Sequence, residues 1–115
     1  MDEPPVETFD VPSLEEARAE VQHRTGELYL EFLRRDSMSC GLYVLEAGAD
    51  DPQEPHQEDE VYVVLEGRAR LMVAGRDHPV GPGSVLFVAR TVAHRFHHIT
   101  ERLSVLVFFA PAESA

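Results

Sequence analysis

An all-β domain behind one short helix is what this 115-residue sequence predicts, and three observations lead there. From Glu27 onward, short runs of β-branched and aromatic residues are separated by clusters of Gly, Pro and Asp, the pattern of antiparallel strands and their turns. Ahead of Glu27 a single capping signal opens a stretch with helical spacing. The length suits one hydrophobic core, and with 43% hydrophobic residues the chain is too apolar to stay disordered, so one folded domain accounts for it.

In chain order, residues 1–12 carry three prolines and four acids and are expected to form a mobile or loosely docked arm. Residues 13–26 form the short helix and its turn: Ser13 caps, Glu16 completes the capping box, Leu14, Ala17 and Val21 share one face, and Gly26 stops the helix after His23. The β-fold is expected over residues 27–111, with a tail at 112–115. Its strand runs are Leu28 to Leu33, Ser39 to Glu46, Glu60 to Leu65, Ala69 to Ala74, Ser84 to Ala89, His94 to Ile99 and Leu103 to Ala110. Between two of them Pro82 pre-sets one dihedral and Gly83 supplies the positive φ of a type II turn. So many short strands must pack face to face or close into a barrel to bury their apolar sides.

Charge narrows the function classes. Ten basic residues against twenty-one acidic ones give a net charge of -11, which repels nucleic-acid backbones and anionic membrane surfaces. The first residues lack the basic and apolar regions of a signal peptide, and no apolar run approaches the roughly 20 residues of a membrane span, so a cytoplasmic location is expected. Cys40 has no partner for an internal disulfide and sits in a strand-like stretch, where it reads as a packed thiol and not as a nucleophile.

Chemistry concentrates in two places. Residues 51–60, Asp-Pro-Gln-Glu-Pro-His-Gln-Glu-Asp-Glu, run into the apolar strand Val61 to Leu65. Period-two alternation puts Glu60, Tyr62 and Val64 on one face, and an ionised Glu facing a core is costly unless it is paired or binds a metal. His56, four residues earlier, can supply that metal with an imidazole. In the second cluster, alternation from His94 places His94, Phe96 and His98 on one face and Arg95, His97 and Ile99 on the other.

These two clusters resemble the paired motifs of the cupin superfamily. The first motif runs Gly, five residues, His, one residue, His, three or four residues, Glu, six residues, Gly; here Gly48, His56, Glu60 and Gly67 match, with Glu54 at the first histidine's position. In the second motif Gly83 and His94 match, Ala89 and Thr91 replace a proline and a glycine, and His98 replaces the terminal asparagine. The resemblance covers residues 40 to 110 and implies a conical β-barrel, or jelly roll, of the RmlC-like type with a metal near its mouth. It implies one divalent metal ion, iron(II) first, with manganese, nickel or zinc as alternatives, held by His56, Glu60 and His94. It further implies a small-molecule substrate, a homodimer, and an enzyme whose best single reading is a dioxygenase or another metal-assisted catalyst. A non-catalytic module that binds a metal or a small ligand is the alternative.

Each residue also has a plainer reading. His56, Glu60 and His94 form either a metal site or a structural hydrogen-bond cluster. Glu54 is either a fourth ligand or an ordinary loop acid, and Gln53 replaces it if the loop shifts by one residue. His98 is an extra ligand, a hydrogen-bond donor behind the ligands, a general base, or a polar residue at the barrel mouth. Tyr62 either bonds a substrate or metal-bound water, and in the enzyme reading it or His98 moves protons as a catalytic residue, or it is a core aromatic with a wet tip. Glu58, Asp59, His78 and His97 are expected in solvent, Phe96 on the pocket wall, and Phe108 and Phe109 in the core.

Overall fold

The computed structural model describes residues 6–114. It contains one helix, α1 (Val11–Thr25), and six strands: β1 (Tyr29–Arg35), β2 (Met38–Leu45), β3 (Asp59–Val73), β4 (Arg76–Val80), β5 (Val85–Val88) and β6 (His94–Ala110). The all-β expectation with one short helix is borne out. Residues 1–5 of the expected arm and residue 115 of the expected tail lie outside the described residues.

The helix starts earlier than the capping box implies. Asp10 is the N-cap, its carboxylate accepting from the Ser13 N–H at 2.9 Å, and Pro12 sits in the first turn, where a missing N–H costs nothing. Gly26 ends the helix at φ 78, its N–H donating to the Gln22 carbonyl at 2.8 Å. The buried face carries Leu14 and Arg18, while Ala17 is exposed. Arg18, one turn on from Leu14, is held down by its guanidinium, which donates to Gln22 Oε1 at 2.6 Å.

The seven expected strand runs become six strands because two pairs fuse and one strand is added. Glu60–Leu65 and Ala69–Ala74 merge in β3, and His94–Ile99 and Leu103–Ala110 merge in β6. Gly67 marks a bend inside β3. It holds φ 93, the register against β6 shifts repeatedly between Val64 and Arg70, and a Cβ there would run into the Arg102 carbonyl oxygen. No expected run covers β4, whose sequence is poor in strand formers; as an edge strand it tolerates Pro79. At the Gly81-Pro82-Gly83 turn, Gly83 takes φ 87 and the Ser84 N–H donates to the Gly81 carbonyl at 2.9 Å, as the sequence pattern requires.

The strands form one sheet in the order β1-β2-β6-β3-β4, with β5 pairing the first half of β3. All pairs are antiparallel. The sheet folds over at the Gly67 bend, so Tyr62, Val64, Val105 and Val107 from one half share a core with Leu71, Phe96 and Ile99 from the other. Among the described residues the hydrogen-bonded ladder leaves β1, β4 and β5 as edges, so the jelly roll closes by packing and not by a continuous barrel ladder. On the outer face, Leu14 of α1 covers Leu42 and Val44, which buries β2 from both sides. Cys40 is buried there at 2% exposure, and burial raises its thiol pKa.

Candidate metal centre

Alternation along β3 delivers Glu60, Tyr62 and Val64 to the interior, all essentially inaccessible. His94, the first residue of β6, enters the same interior from across the fold. Its Nε2 lies 2.9 Å from Glu60 Oε1, with both side chains 1% exposed. His56 comes from the loop ahead of β3 and is held by its backbone, its carbonyl accepting from the Thr91 N–H at 2.6 Å. One ligand atom from each of His56, Glu60 and His94 lies within 4.8 Å of the others.

The hydrogen bonds show what this arrangement lacks. His94 Nδ1 is 2.8 Å from the Val92 carbonyl oxygen, which only accepts, so Nδ1 carries the proton and a neutral ring turns the Nε2 lone pair toward the Glu60 carboxylate. Two lone-pair atoms at that distance need a cation between them. A proton can serve, converting His94 to imidazolium, and so can a metal ion. Burial lowers the His94 pKa, but the Glu60 hydrogen bond, the Val92 carbonyl and the charges of Glu60 and Asp51 outweigh it and leave the pKa raised. A proton satisfies only one Glu60 oxygen, and the buried His56 Nε2 also has no partner. His56 turns its other nitrogen, Nδ1, toward Glu113 Oε2 at 3.4 Å. Two imidazoles and a carboxylate with unpartnered buried atoms fit a divalent metal of the iron, manganese, nickel or zinc type.

The structure sorts the remaining candidates. Glu54 is exposed and outside the ligand group, and Gln53, its expected substitute as a ligand, is half-buried and bonded to other side chains. Gln53 Nε2 donates to Asp51 Oδ2 at 2.7 Å and its Oε1 accepts from the Tyr62 hydroxyl at 2.8 Å. Asp51 also accepts from the Tyr43 hydroxyl at 2.7 Å and the Phe96 N–H at 2.9 Å, so it fastens the His56 loop to the core. Burial and then the Glu60 charge raise the Tyr62 phenol well above its usual range, which keeps it a proton donor to Gln53.

His98 does not face inward. It holds φ 48, and this local irregularity breaks the alternation, leaving His98 exposed and burying Ile99 in its place. Its Nδ1 meets His97 Nδ1 at 2.7 Å, while His97 Nε2 lies 2.6 Å from Asp77 Oδ1. Phe96 and Phe109 are buried as expected, whereas Phe108 is only half-buried. Glu58, expected in solvent, is 4% exposed and accepts from the Ser114 hydroxyl at 3.1 Å.

Glu113 is the site residue that the sequence does not reveal, because no motif or periodicity reaches the segment after β6. Its pKa is raised by burial and by the charges of Glu58, Glu60 and Glu31, against an opposing effect of His56. The motif positions behave as their backbone requires: Gly48 and Gly67 take positive φ, and so does Thr91, which stands where the second motif has a glycine.

Comparison with known proteins agrees with the fold. Residues 41–109 match the family model of the cupin domain. The uncharacterized protein SCO3923 of Streptomyces coelicolor is 52% identical over 101 residues, covering 88% of this chain and 95% of its own. Among solved structures, the cupin domain of Schizosaccharomyces pombe Cnp3 superposes with a TM-score of 0.67 at 17% identity, over 72% of this chain and 63% of that one. Salicylate 1,2-dioxygenase from Pseudoaminobacter salicylatoxidans, solved with gentisate, gives 0.77 at 13% identity over 89% of this chain and 32% of that one. At these identities the two structures share the fold with this chain, which spans less than two thirds of either.

Proposed function

The chain belongs to the cupin domain family, and from that premise we propose that it is a mononuclear metal protein acting on a small organic molecule, with His56, Glu60 and His94 as the ligands. The observation that carries this reading is the set of buried, unpartnered atoms on those three residues. A divalent ion held there would supply Lewis acidity and, if it is iron, oxygen activation. Iron(II) is the first choice for this donor set. The protein's own part is to hold the ligands: Val92 orients His94, Thr91 the His56 backbone, and Asp51 with Gln53 the loop that leads into His56.

Dioxygenase-type chemistry is the first reaction to test, since an oxygenase solved with an aromatic acid shares the fold. The expected result is about one metal ion per purified chain and none in His56→Ala or His94→Ala; full occupancy in both variants overturns the site. Oxygen uptake with a substrate panel then separates the enzyme from the second reading, a non-catalytic metal- or ligand-binding module. That second reading is favoured by one observation: of the two residues expected to move protons, His98 is exposed and the Tyr62 hydroxyl is engaged by Gln53.

The reading includes a cytoplasmic homodimer without nucleic-acid or membrane partners, consistent with the -11 charge. Val85 and Phe87 on edge strand β5 are 68% and 63% exposed, an uncharged patch that a second acidic copy can cover without charge repulsion. Light scattering at micromolar concentration should give a dimer mass, and a monomer mass would reject this part.

A further inference from the structure

The two candidate histidine ligands are oriented by different means. His94 is fixed within its own turn, where the Val92 carbonyl lies 2.8 Å from Nδ1. The His56 ring has no partner of that kind close in sequence. It rests edge-on against Phe109, 4.9 Å between centroids, and its Nε2 is buried without a partner. Its Nδ1 meets Glu113 Oε2 at 3.4 Å, a charged atom from the segment after β6. Packing on Phe109 does not tell one ring nitrogen from the other, so the Glu113 carboxylate is the contact that does.

The segment carrying Glu113 is fastened on both sides. The Glu113 N–H donates to Ser39 Oγ at 2.9 Å, and the Glu113 carbonyl accepts from Arg34 at 2.8 Å. One residue earlier, the Ala112 N–H donates to the Asp36 carbonyl at 3.3 Å; one residue later, the Ser114 hydroxyl donates to Glu58 Oε2 at 3.1 Å. Arg34, Asp36 and Ser39 belong to the β1–β2 hairpin, and Glu58 immediately precedes β3, two residues before Glu60. Residues 111–114 therefore form a strap from that hairpin to the strand that carries a candidate ligand. A glutamate on a free surface segment loses most of an ion pair's worth to side-chain entropy and solvent, whereas this backbone is already held.

We propose that Glu113 is a positioning residue of the metal centre. With Nε2 as the ligand atom, a neutral His56 carries its proton on Nδ1, and the Glu113 carboxylate faces that N–H and holds Nε2 toward Glu60 and His94. It also balances charge. Two neutral imidazoles and Glu60 offer one negative charge to a divalent ion, and Glu113 supplies the second. The strap after β6 thereby sets how tightly the centre holds its metal. The assignment rests on the metal-centre reading, and the experiment separates the two.

Zinc affinity of the full chain is measured by competition with a chromophoric chelator, and the visible spectrum is recorded with cobalt(II) in place of zinc. Glu113→Ala should weaken zinc binding about ten- to a hundredfold and alter the cobalt spectrum, with the circular dichroism of the unaltered protein retained. Glu113→Gln keeps an oxygen that accepts from Nδ1–H but lacks the charge. It should recover part of the affinity and restore the cobalt spectrum, and it serves if Glu113→Ala does not fold. Arg34→Ala, which loosens the strap from an exposed position, should cost about two- to fivefold and add nothing to Glu113→Ala. Zinc affinity within about threefold of the unaltered protein in both Glu113 variants, with an unchanged cobalt spectrum, overturns the assignment and leaves the metal centre standing. Lower thermal stability without lower affinity does the same. An unaltered protein that binds no zinc overturns the metal-centre reading, and the assignment with it.

Discussion

His94 Nε2 and Glu60 Oε1 stand 2.9 Å apart although their strands place them far from each other along the ladder. His94 pairs with Val73, thirteen residues from Glu60 on β3, a distance of about 40 Å on a straight strand. The fold-over at Gly67 brings the two together and creates a site that needs a cation.

In metal-free protein that cation is a proton, and the sign of its pH dependence follows. The folded His94 pKa is raised above the ordinary imidazole value, so the pair's contribution to stability is fully present below that ordinary value and is lost as pH rises through the raised one. Melting of chelator-treated protein should therefore show a downward trend over this window that His94→Ala lacks. With metal bound the trend reverses, because protons compete for Nε2.

Metal addition should stabilise the fold. At a free metal concentration a hundredfold above Kd the gain is about 2.7 kcal/mol, a rise in melting temperature on the order of 10 °C. Glu54→Ala should retain this shift, since Glu54 is exposed outside the ligand group, and Glu60→Ala should lose it. Differential scanning calorimetry with and without metal distinguishes the two carboxylates.

Gly67→Ala should destabilise the protein by about 1–3 kcal/mol from backbone strain alone, and by more if Arg102 cannot yield. Denaturant unfolding measures the loss; a change within about 0.5 kcal/mol would show that the bend does not depend on glycine.

Cys40 should resist thiol reagents in the native protein at pH 8, because its side chain is buried and its pKa raised by that burial. Labelling should follow the unfolding rate, as mass spectrometry over a denaturant series can establish. Prompt native-state labelling would contradict the packed position of β2.

His98→Ala should leave metal content unchanged, because the side chain faces away from the ligands and contacts His97. Loss of metal in this variant, measured against His94→Ala, would restore His98 to the site.

Local chemistry makes much of this protein legible in its sequence. Alternation places Glu60 and Tyr62 on one inner face and the Pro82-Gly83 pair announces its turn, because each signal depends on neighbours only a few residues apart, whereas His94 is joined to His56 and Glu60 only through the resemblance to the cupin motifs. The capping box marks a helix but puts its cap three residues late, since Asp10 and Ser13 are both competent caps and only the folded backbone selects between them. Tertiary structure leaves Glu54 exposed, ties Gln53 to Asp51 and Tyr62, turns His98 outward through one positive φ, and carries Glu113 beside His56. Those outcomes depend on loop paths and on contacts such as His56 with Glu113, 57 residues away, for which a linear pattern carries no period. Periodicity reports which face a residue takes within a strand; where two distant faces meet is set by the bend at Gly67 and the packing that follows from it.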